Sequence, residues 1–382
     1  MKSDSLLGKI GVLNLLLVFV PAGFAMKFAG VSELWLFAVS GAAIIPLAGL
    51  MGKSTEMIAH RLGPGIGGLL NASFGNAAEL IIAISALKAG LVDVVKASIT
   101  GSILGNILLV LGASFFFGGL RHRRQKFNAT AAGMSATLLA LAAVGLLVPA
   151  IFHAHLIVHH QGADEKSLSL EIAIVLFVVY VLMLLFSLIT HRHLYNPSRA
   201  GDATNQSADD ALPSQRVAAH RDEDGWPQWV AVTVLVVATL FVALMSEILV
   251  GAIEETAKRL DWTNIFVGVV VIAIVGNAAE HSTAVRAAWK NQMELGFQIA
   301  VGSGLQVALF VAPVLVFVSY LPGFERLDLV FSMLEVVAVA VSVLIVGLVA
   351  FDGESNWLEG LLLLAVYLIL GIAFYHLPGG GH

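Results

Sequence analysis

The sequence predicts an all-α polytopic membrane protein with eleven transmembrane helices, arranged as one lone N-terminal helix followed by two inverted five-helix repeats. Two observations predict this fold. Hydrophobic residues make up 58% of the 382 positions and charged residues only 12%, whereas soluble globular domains carry about 25% charged residues. The chain also contains a five-residue motif that recurs 201 positions later. A chain this poor in charge cannot cover itself with a polar surface, so we expect lipid to be its solvent.

Apolar windows place the spans along the chain. A helix needs about 20 apolar residues to cross the hydrocarbon core of a bilayer. Clusters such as Gly63-Pro64-Gly65 and Pro322-Gly323 mark the boundaries between windows. The first window lacks the cleavage pattern of a signal peptide, so we expect it to remain as a helix. The eleven predicted spans are 10–29, 33–52, 66–88, 92–118, 128–151, 170–190, 228–250, 263–286, 295–318, 328–350 and 356–376.

The distribution of lysine and arginine predicts the orientation of the chain. With a cytoplasmic N-terminus, 14 of the 21 basic residues fall on the inner side and 7 on the outer side, which is the bias that membrane proteins show. The densest basic cluster, residues 121–126, lies on the inner side. We therefore expect the C-terminus outside. Short loops between the spans favour the inner (plasma) membrane of a prokaryote.

Internal similarity divides the chain into two halves. Gly75-Asn76-Ala77-Ala78-Glu79 recurs as Gly276-Asn277-Ala278-Ala279-Glu280, and Gly101-Ser102 recurs as Gly302-Ser303 at the same offset. Five spans per repeat is an odd number, so the second copy enters the membrane upside down. Inverted repeats are typical of secondary transporters and place the substrate site near the bilayer midplane. The predicted divisions are an N-terminal transmembrane helix at 1–30, a first repeat at 31–194, a cytoplasmic linker at 195–227 and a second repeat at 228–382.

Glu79 and Glu280 are the main candidate functional residues. Each falls near the centre of a predicted span, where a charged side chain costs at least about 2.5–3.5 kcal/mol on insertion scales. A single glutamate there is also compatible with a protonated carboxyl group that joins two helices. Two glutamates at matching positions of inverted repeats favour an ion-binding site.

Neighbouring polar residues fit a cation that prefers oxygen ligands. Asn76 and Asn277 each lie three residues before a glutamate, on the same helical face. Six to eight oxygens from carboxylates, amides and carbonyls are the ligands that Ca²⁺ takes, whereas zinc or copper would recruit His or Cys. His281 points about 100° away from Glu280 around the helix, which leaves a ligand or proton-relay role open. The full candidate metal-binding set is Glu79, Glu280, Asn76, Asn277, Ser102, Asn106, Ser303 and Gln306.

The same two glutamates predict coupling to protons. Burial favours the protonated form of a carboxyl group, and a second carboxylate nearby favours it further. A bound divalent cation reverses that preference. Ca²⁺ and H⁺ are then expected to compete for one site, and alternating access would convert this competition into exchange.

These motifs resemble the Ca²⁺/H⁺ exchanger (CAX) family of the cation/Ca²⁺ exchanger superfamily. The resemblance rests on the doubled Gly-Asn-Ala-Ala-Glu motif, on residues 62–74 and on residues 352–360, and it covers the chain from about residue 30. It implies an eleven-span fold in which Glu79 and Glu280 are ion ligands. It also implies supporting contacts from the fourth and ninth spans, which match Ser102, Asn106, Ser303 and Gln306.

The resemblance also narrows the expected partners. Alanine precedes each motif glutamate, where sodium-driven relatives carry a Ser-rich, Pro-Glu version, so protons are favoured over Na⁺. Residues 195–227 lack the strongly acidic segment that members of the family often carry, which favours a flexible linker. We expect Ca²⁺ and H⁺ as transported ions and the bilayer as the surrounding medium. We expect neither a cofactor nor a nucleic-acid partner.

Three alternatives remain at this level. In the first alternative the protein exchanges another cation, Mn²⁺, Na⁺ or K⁺, for protons. In the second it is a passive cation channel. The third, an intramembrane protease, is disfavoured, because no serine–histidine pair or aspartate pair is placed deep in the predicted spans.

Two further groups of residues have open roles. Glu335 either lines the cation path or pairs with a polar neighbour. The histidine group His153, His155, His159 and His160 is typical of a solvated outer loop.

Overall fold

A computed structural model describes residues 12–159, 165–191 and 226–377. Within these ranges the protein is nearly all helical. The predicted linker 195–227 lies outside the described residues except for Trp226 and Pro227. The α-helices are α1 Phe19–Phe28, α2 Glu33–Phe74, α3 Ala77–Lys88, α4 Val92–Leu104, α5 Leu111–Arg121, α6 Ala129–His159, α7 Glu165–Leu185, α8 Gln228–Gly251, α9 Ile253–Leu260, α10 Asn264–Phe266, α11 Ala273–Gly276, α12 Ala278–Trp289, α13 Met293–Gln306, α14 Ala312–Ser319, α15 Met333–Val349 and α16 Trp357–Tyr375.

Several of these helices are joined by segments of other helical types or by short strands. A 3₁₀ segment precedes α1, and four π-helical segments continue or join α-helices. Two strands of two residues pair antiparallel, with Gln125 opposite Ser355. These elements are the 3₁₀ segment Val12–Val18, the π segments Gly105–Val110, Phe186–Thr190, Val267–Ile272 and Val307–Val311, and the strands β1 Gln125–Lys126 and β2 Glu354–Ser355.

The helices agree with the predicted spans in position but not all in length. Seven helices in the described part of the chain are long and apolar enough to cross a bilayer, and an eighth candidate is a pair bent by 114° between Ile253–Leu260 and Asn264–Gly276. Two shorter apolar helices are Leu15–Phe28 and Met333–Val349. Among the described residues, the windows without a long unbroken helix are the first, third, eighth and tenth. The third and eighth are interrupted within the repeated motif.

The boundary predicted at Gly63-Pro64-Gly65 is a bend inside α2 instead of a gap between helices. The helix is continuous from Glu33 to Phe74. A Cβ atom on Gly67 would nevertheless overlap the backbone carbonyl of Ala59, eight residues earlier. Eight residues span about 12 Å in a straight helix, so the chain turns back on itself between these two positions. The second predicted span and the first half of the third are therefore two limbs of one bent helix.

The two halves of the chain pack against each other at the centre of the molecule. Helix α8 runs along α2, and α4 crosses the π segment Val267–Ile272. At that crossing a Cβ atom on Gly101 would overlap the backbone of Val269, and one on Gly268 would overlap Ala97. Glycines thus allow close approach of the backbones, as is common between membrane helices.

Polar contacts near the helix ends fall into two groups, one on each side of the molecule. On one side Gln125 donates to the carbonyl oxygen of Ala288 at 2.8 Å, and Arg124 bonds to Glu354. On the other side Lys96 forms an ion pair with Asp328, with Nζ and Oδ1 2.5 Å apart. The first group lies on the predicted inner side and the second on the predicted outer side.

Candidate cation-binding site

Both copies of the repeated motif interrupt a helix at its asparagine. Helix α2 ends at Phe74 and α3 begins at Ala77, so Asn76 lies in the break. In the second copy Asn277 separates α11 from α12. Non-helical backbone at membrane depth is tolerated where it is buried in protein or lines a cavity. The two breaks therefore place both motifs inside the protein.

The breaks put each motif glutamate in the first turn of a new helix. Glu79 lies in the first turn of α3 and Glu280 in the first turn of α12. The free N–H groups at a helix N-terminus favour negative charge nearby. Both carboxylates are thus placed where an ionised form receives some support from the backbone.

The two carboxylates belong to one region of the interior. Glu79 is 8% exposed. A Cβ atom on Gly276 would lie 3.1 Å from Cγ of Glu79, so the first-repeat glutamate packs against the second motif. Glu280 follows Gly276 by four residues, in the first turn of α12. The structure therefore brings together the two glutamates that the repeat singled out.

Asn76 bonds to two residues of the other half of the chain. Its Nδ2 donates to the side-chain carbonyl of Gln306. Its Oδ1 accepts from the hydroxyl of Ser303 at 3.0 Å. Both partners lie on α13, so the first motif is bonded to the ninth predicted span.

Asn277 makes the corresponding contacts with the first half of the chain, but the donor and acceptor roles are exchanged. Its Nδ2 donates to the hydroxyl of Ser102 at 3.1 Å and to the carbonyl of Ala273 at 2.8 Å. Its Oδ1 accepts from Nδ2 of Asn106 at 2.7 Å. Asn106 also donates to Ser303 at 3.0 Å, which joins the two sets of contacts. All six predicted amide and hydroxyl residues thus form a single hydrogen-bond network beside the glutamates.

Two π-helical segments begin at this network. The segment Gly105–Val110 includes Asn106, and the segment Val307–Val311 follows Gln306 directly. A π-helical turn widens a helix locally and is frequent at functional sites. The sequence analysis did not predict these segments, because their apolar residues give the same pattern as an α-helix.

Four buried oxygen atoms in this region have no hydrogen-bond donor among the described residues. They are both carboxylate oxygens of Glu79, Oε2 of Glu280 and Oδ1 of Asn106. A buried acceptor without a partner is costly. The carboxylate oxygens can accept a proton or ligate a cation, and Oδ1 of Asn106 can ligate a cation. Among the described residues no group of three or more His, Cys, Asp or Glu side chains is arranged to hold a metal. A cation here would be held by two carboxylates and neutral oxygens.

Other residues weighed from the sequence lie outside this network. Glu335 is in the first turn of α15 and closes a capping box with Ser332. Its Oε1 also accepts from the hydroxyl of Thr100 at 3.2 Å, so it pairs with polar neighbours. Nε2 of His281 is buried, with no partner in the part of the chain that the structure describes. The sequence analysis missed Thr100, although it is one of few polar positions in an apolar span.

The outer histidine group is only partly described. His153 and His155 lie in helix α6 and not in a loop, so the predicted loop is wrong for these two residues. His153 pairs with Glu165 through Nδ1, at 2.8 Å from Oε1. The side chain of His159 and all of His160 lie outside the described residues.

Comparison with known proteins identifies the family. The family model for the sodium/calcium exchanger protein matches residues 32–189 and 230–375. A "Ca(2+)/H(+) antiporter" of Synechocystis sp. is 46% identical over 97% of this chain and 98% of the relative. The "Ca(2+)/H(+) antiporter ChaA" of Bacillus subtilis is 44% identical over 94% of this chain and 98% of the relative.

Solved structures agree with these relatives. The crystal structure of the Ca²⁺/H⁺ antiporter protein YfkE matches with a TM-score of 0.78 and 39% identity, covering 96% of this chain and 99% of that one. The H⁺/Ca²⁺ exchanger CAX shares the fold at a TM-score of 0.66 and 13% identity, over 95% of this chain and 91% of that one. The resemblance that the motifs indicated is confirmed, and the chain belongs to the sodium/calcium exchanger protein family.

Proposed function

We propose that this protein is a secondary active transporter that exchanges Ca²⁺ for H⁺ across the membrane by alternating access. In this proposal Glu79 and Glu280 bind either the cation or protons. The relatives in Synechocystis sp. and Bacillus subtilis carry the name Ca²⁺/H⁺ antiporter and match nearly the whole chain. These relatives are transporters and not enzymes, and this chain is likewise a transporter.

One observation carries the assignment of the site. The two motif glutamates lie together in the interior, and three of their four carboxylate oxygens are buried without a hydrogen-bond donor among the described residues. Uncompensated carboxylates in a low-dielectric interior require a bound cation or protons. Protons and a divalent cation both meet this requirement, and each excludes the other.

The neutral residues of the network complete the proposed ligand set. Oδ1 of Asn106 is buried without a donor and is available to a cation as it stands. The oxygens of Asn76 and Asn277 accept from Ser303 and Asn106, and would turn to the cation when those bonds are exchanged. With Ser102 and Gln306 these oxygens supply the coordination number that Ca²⁺ prefers.

The reciprocal contacts support the inverted-repeat architecture. Asn76 bonds to Ser303, and Asn277 bonds to Ser102, so the asparagine of each motif is hydrogen-bonded to a serine from the other half of the chain. A site of this kind lies between two halves that can move relative to each other. Alternating access then requires only that this movement opens the site to one side at a time. The eleven-span count and the repeat boundaries at 31–194 and 228–382 belong to the same proposal.

Two alternatives follow from the same site. Other cations that prefer oxygen ligands, such as Mn²⁺, Na⁺ or K⁺, would compete for these residues, with H⁺ as the counter-ion. A passive channel would need only a continuous pore. A channel cannot accumulate Ca²⁺ against its own gradient, whereas an exchanger can use a proton gradient to do so.

The test is uphill transport by the purified protein in sealed vesicles. With a pH gradient imposed and the membrane potential clamped, wild type is expected to accumulate Ca²⁺ above the external concentration. Glu79→Gln and Glu280→Gln are each expected to abolish this uptake. Glu254→Gln removes an exposed carboxylate of α9 and serves as the matched control, with uptake unchanged.

Each other outcome has a defined meaning. Downhill leakage of Ca²⁺ without accumulation would favour the channel. Uphill uptake that survives either glutamine substitution would contradict the assignment of the site to these two glutamates. Accumulation of Mn²⁺ in preference to Ca²⁺ would favour the second cation alternative.

A further inference from the structure

Two polar side chains of α4 contact the second half of the chain away from the cation-binding network. Lys96 and Thr100 are four residues apart and share one face of the helix. Nζ of Lys96 donates to Oδ1 of Asp328 at 2.5 Å and to the carbonyl of Val330 at 2.9 Å. The hydroxyl of Thr100 donates to Oε1 of Glu335 at 3.2 Å. Both contacts reach the start of α15 and the chain just before it.

The ion pair is largely withdrawn from solvent. The side chain of Lys96 is 14% exposed and that of Asp328 is 23% exposed. Taking two charges out of water offsets most of their mutual attraction, so such a pair contributes little to net stability. It is directional, however, whereas apolar packing is not. The pair therefore fixes where α4 lies along its neighbours more than it strengthens the fold.

The matching positions of the second repeat are apolar. The residues 201 positions after Lys96 and Thr100 are Phe297 and Val301. Phe297 stacks on Phe127 with ring centroids 4.7 Å apart and planes 11° apart. Helix α13 is thus held by an aromatic contact where α4 uses a lysine. Packing alone does not require a buried lysine at this place.

Lys96 lies on the same continuous helical stretch as two residues of the proposed cation site, Ser102 in α4 and Asn106 in the π segment Gly105–Val110 that continues α4. Ser102 and Asn106 follow it by six and ten residues, which is about 9 and 15 Å along a helix axis. Both bond to Asn277, whose amide would reorganise when a cation binds. A second anchor on α4 would hold Ser102 and Asn106 in place during that exchange. Binding groups need such support to stay within about 0.5 Å of their productive geometry.

We propose that Lys96 is a positioning residue for cation binding. Its ion pair with Asp328 holds α4 in register, and α4 and the π segment that continues it in turn present Ser102 and Asn106 to the cation. The inference rests on the proposed function, because it takes these two residues as cation ligands. The bonds of Lys96 go to Asp328 and Val330, so it acts through the helix and is not itself a ligand.

The experiment measures Ca²⁺ binding and pH-gradient-driven Ca²⁺ uptake on the purified full-length protein. Lys96→Met and Asp328→Asn are each expected to raise the Kd for Ca²⁺ about tenfold, the size of effect seen for residues that modulate a site from a distance. The maximal uptake rate is expected to change little. Each single variant is expected to lower the Tm, because it leaves one partly buried charge without its partner. The double variant is expected to bind no more weakly than the weaker single variant, because the two residues act as one pair.

Two control variants separate positioning from general effects. Lys96→Arg keeps the charge and is expected to retain the wild-type Kd. Lys88→Met removes an exposed lysine from the end of α3 on the same side and is expected to leave the Kd unchanged.

The outcomes that overturn the inference differ from those that overturn the proposed function. An unchanged Kd in both Lys96→Met and Asp328→Asn, or an equal shift in Lys88→Met, overturns the positioning role. If Lys96→Met does not fold, Asp328→Asn decides the question. A wild type that fails to accumulate Ca²⁺ uphill contradicts the proposed function instead, and the Kd values still test the role of Lys96.

Discussion

The side-chain amide of Asn277 donates to the hydroxyl of Ser102 across 3.1 Å, although 175 residues separate them in the chain. The reciprocal contact runs from the hydroxyl of Ser303 to Asn76 at 3.0 Å. The offset of 201 residues that relates the two motifs also relates these two contacts. Each motif asparagine therefore has a hydrogen-bonded serine partner in the other half of the chain.

Replacing Asn277 with alanine is expected to weaken Ca²⁺ binding. The change removes the donor to Ser102, one of the two acceptors of Asn106 and one proposed ligand, a loss of about 1–3 kcal/mol. This corresponds to a rise in the Kd of about fivefold to 150-fold. Titration calorimetry on the purified protein measures it. Asn264→Ala, in α10 and outside the network, is the control, and equal affinities in the two variants would argue against the site.

Lowering the pH is expected to weaken Ca²⁺ binding. Protonation neutralises the carboxylates of Glu79 and Glu280, so the affinity is present at higher pH and is lost as the pH falls. In simple competition the half-saturating Ca²⁺ concentration rises roughly tenfold per pH unit for each proton displaced. Binding curves over a range of pH values measure this slope. The slope should become shallower in Glu79→Gln and in Glu280→Gln, and a slope of zero in wild type would contradict proton competition.

Two matching glycines are expected to respond differently to alanine. A Cβ atom on Gly101 would overlap the backbone of Val269, whereas one on Gly302 meets nothing within 4 Å. Gly101→Ala is therefore expected to lower the free energy of unfolding by about 1–3 kcal/mol. Gly302→Ala is expected to be neutral or to stabilise by up to about 1 kcal/mol, since alanine favours the helix. Thermal unfolding in detergent compares them, and equal Tm values would contradict the helix crossing.

The aromatic stack on the predicted inner side is expected to be a major source of stability. Phe127 is 8% exposed, stacks on Phe297 and lies 5.8 Å from Phe115 between ring centroids. Phe127→Ala is expected to cost about 3–5 kcal/mol, as other large-to-small changes in cores do. Phe117, which is 43% exposed, gives the control Phe117→Ala with a much smaller loss. Similar losses in the two variants would show that the stack contributes little.

The central part of the site could be predicted from the sequence because it is repeated. The doubled motif identified both glutamates, and the residues that match in the fourth and ninth spans identified the polar network around them. The structure brings all of these residues together. Their role as cation ligands remains a prediction that transport and binding measurements must test.

Other features depend on contacts that no local pattern contains. The choice of Ser303 over Ser102 as the partner of Asn76 is set by how the halves cross, not by spacing along the chain. The ion pair between Lys96 and Asp328 joins residues 232 positions apart. Helix α15 is shorter than the predicted span and begins at Met333, because the residues just before it are not helical. Their alternating apolar residues fit a helix or an extended strand, so an apolar window does not show where the helix begins.

The most direct test of the central claim is the number of protons released when Ca²⁺ binds to the purified protein. Titration calorimetry in two buffers with different ionisation enthalpies gives this number. Mutual exclusion at Glu79 and Glu280 predicts net proton release in wild type, less release in each single glutamine variant, and neither release nor tight Ca²⁺ binding in the double variant. Ca²⁺ binding without proton release in wild type, or unchanged release in the double variant, would contradict the account.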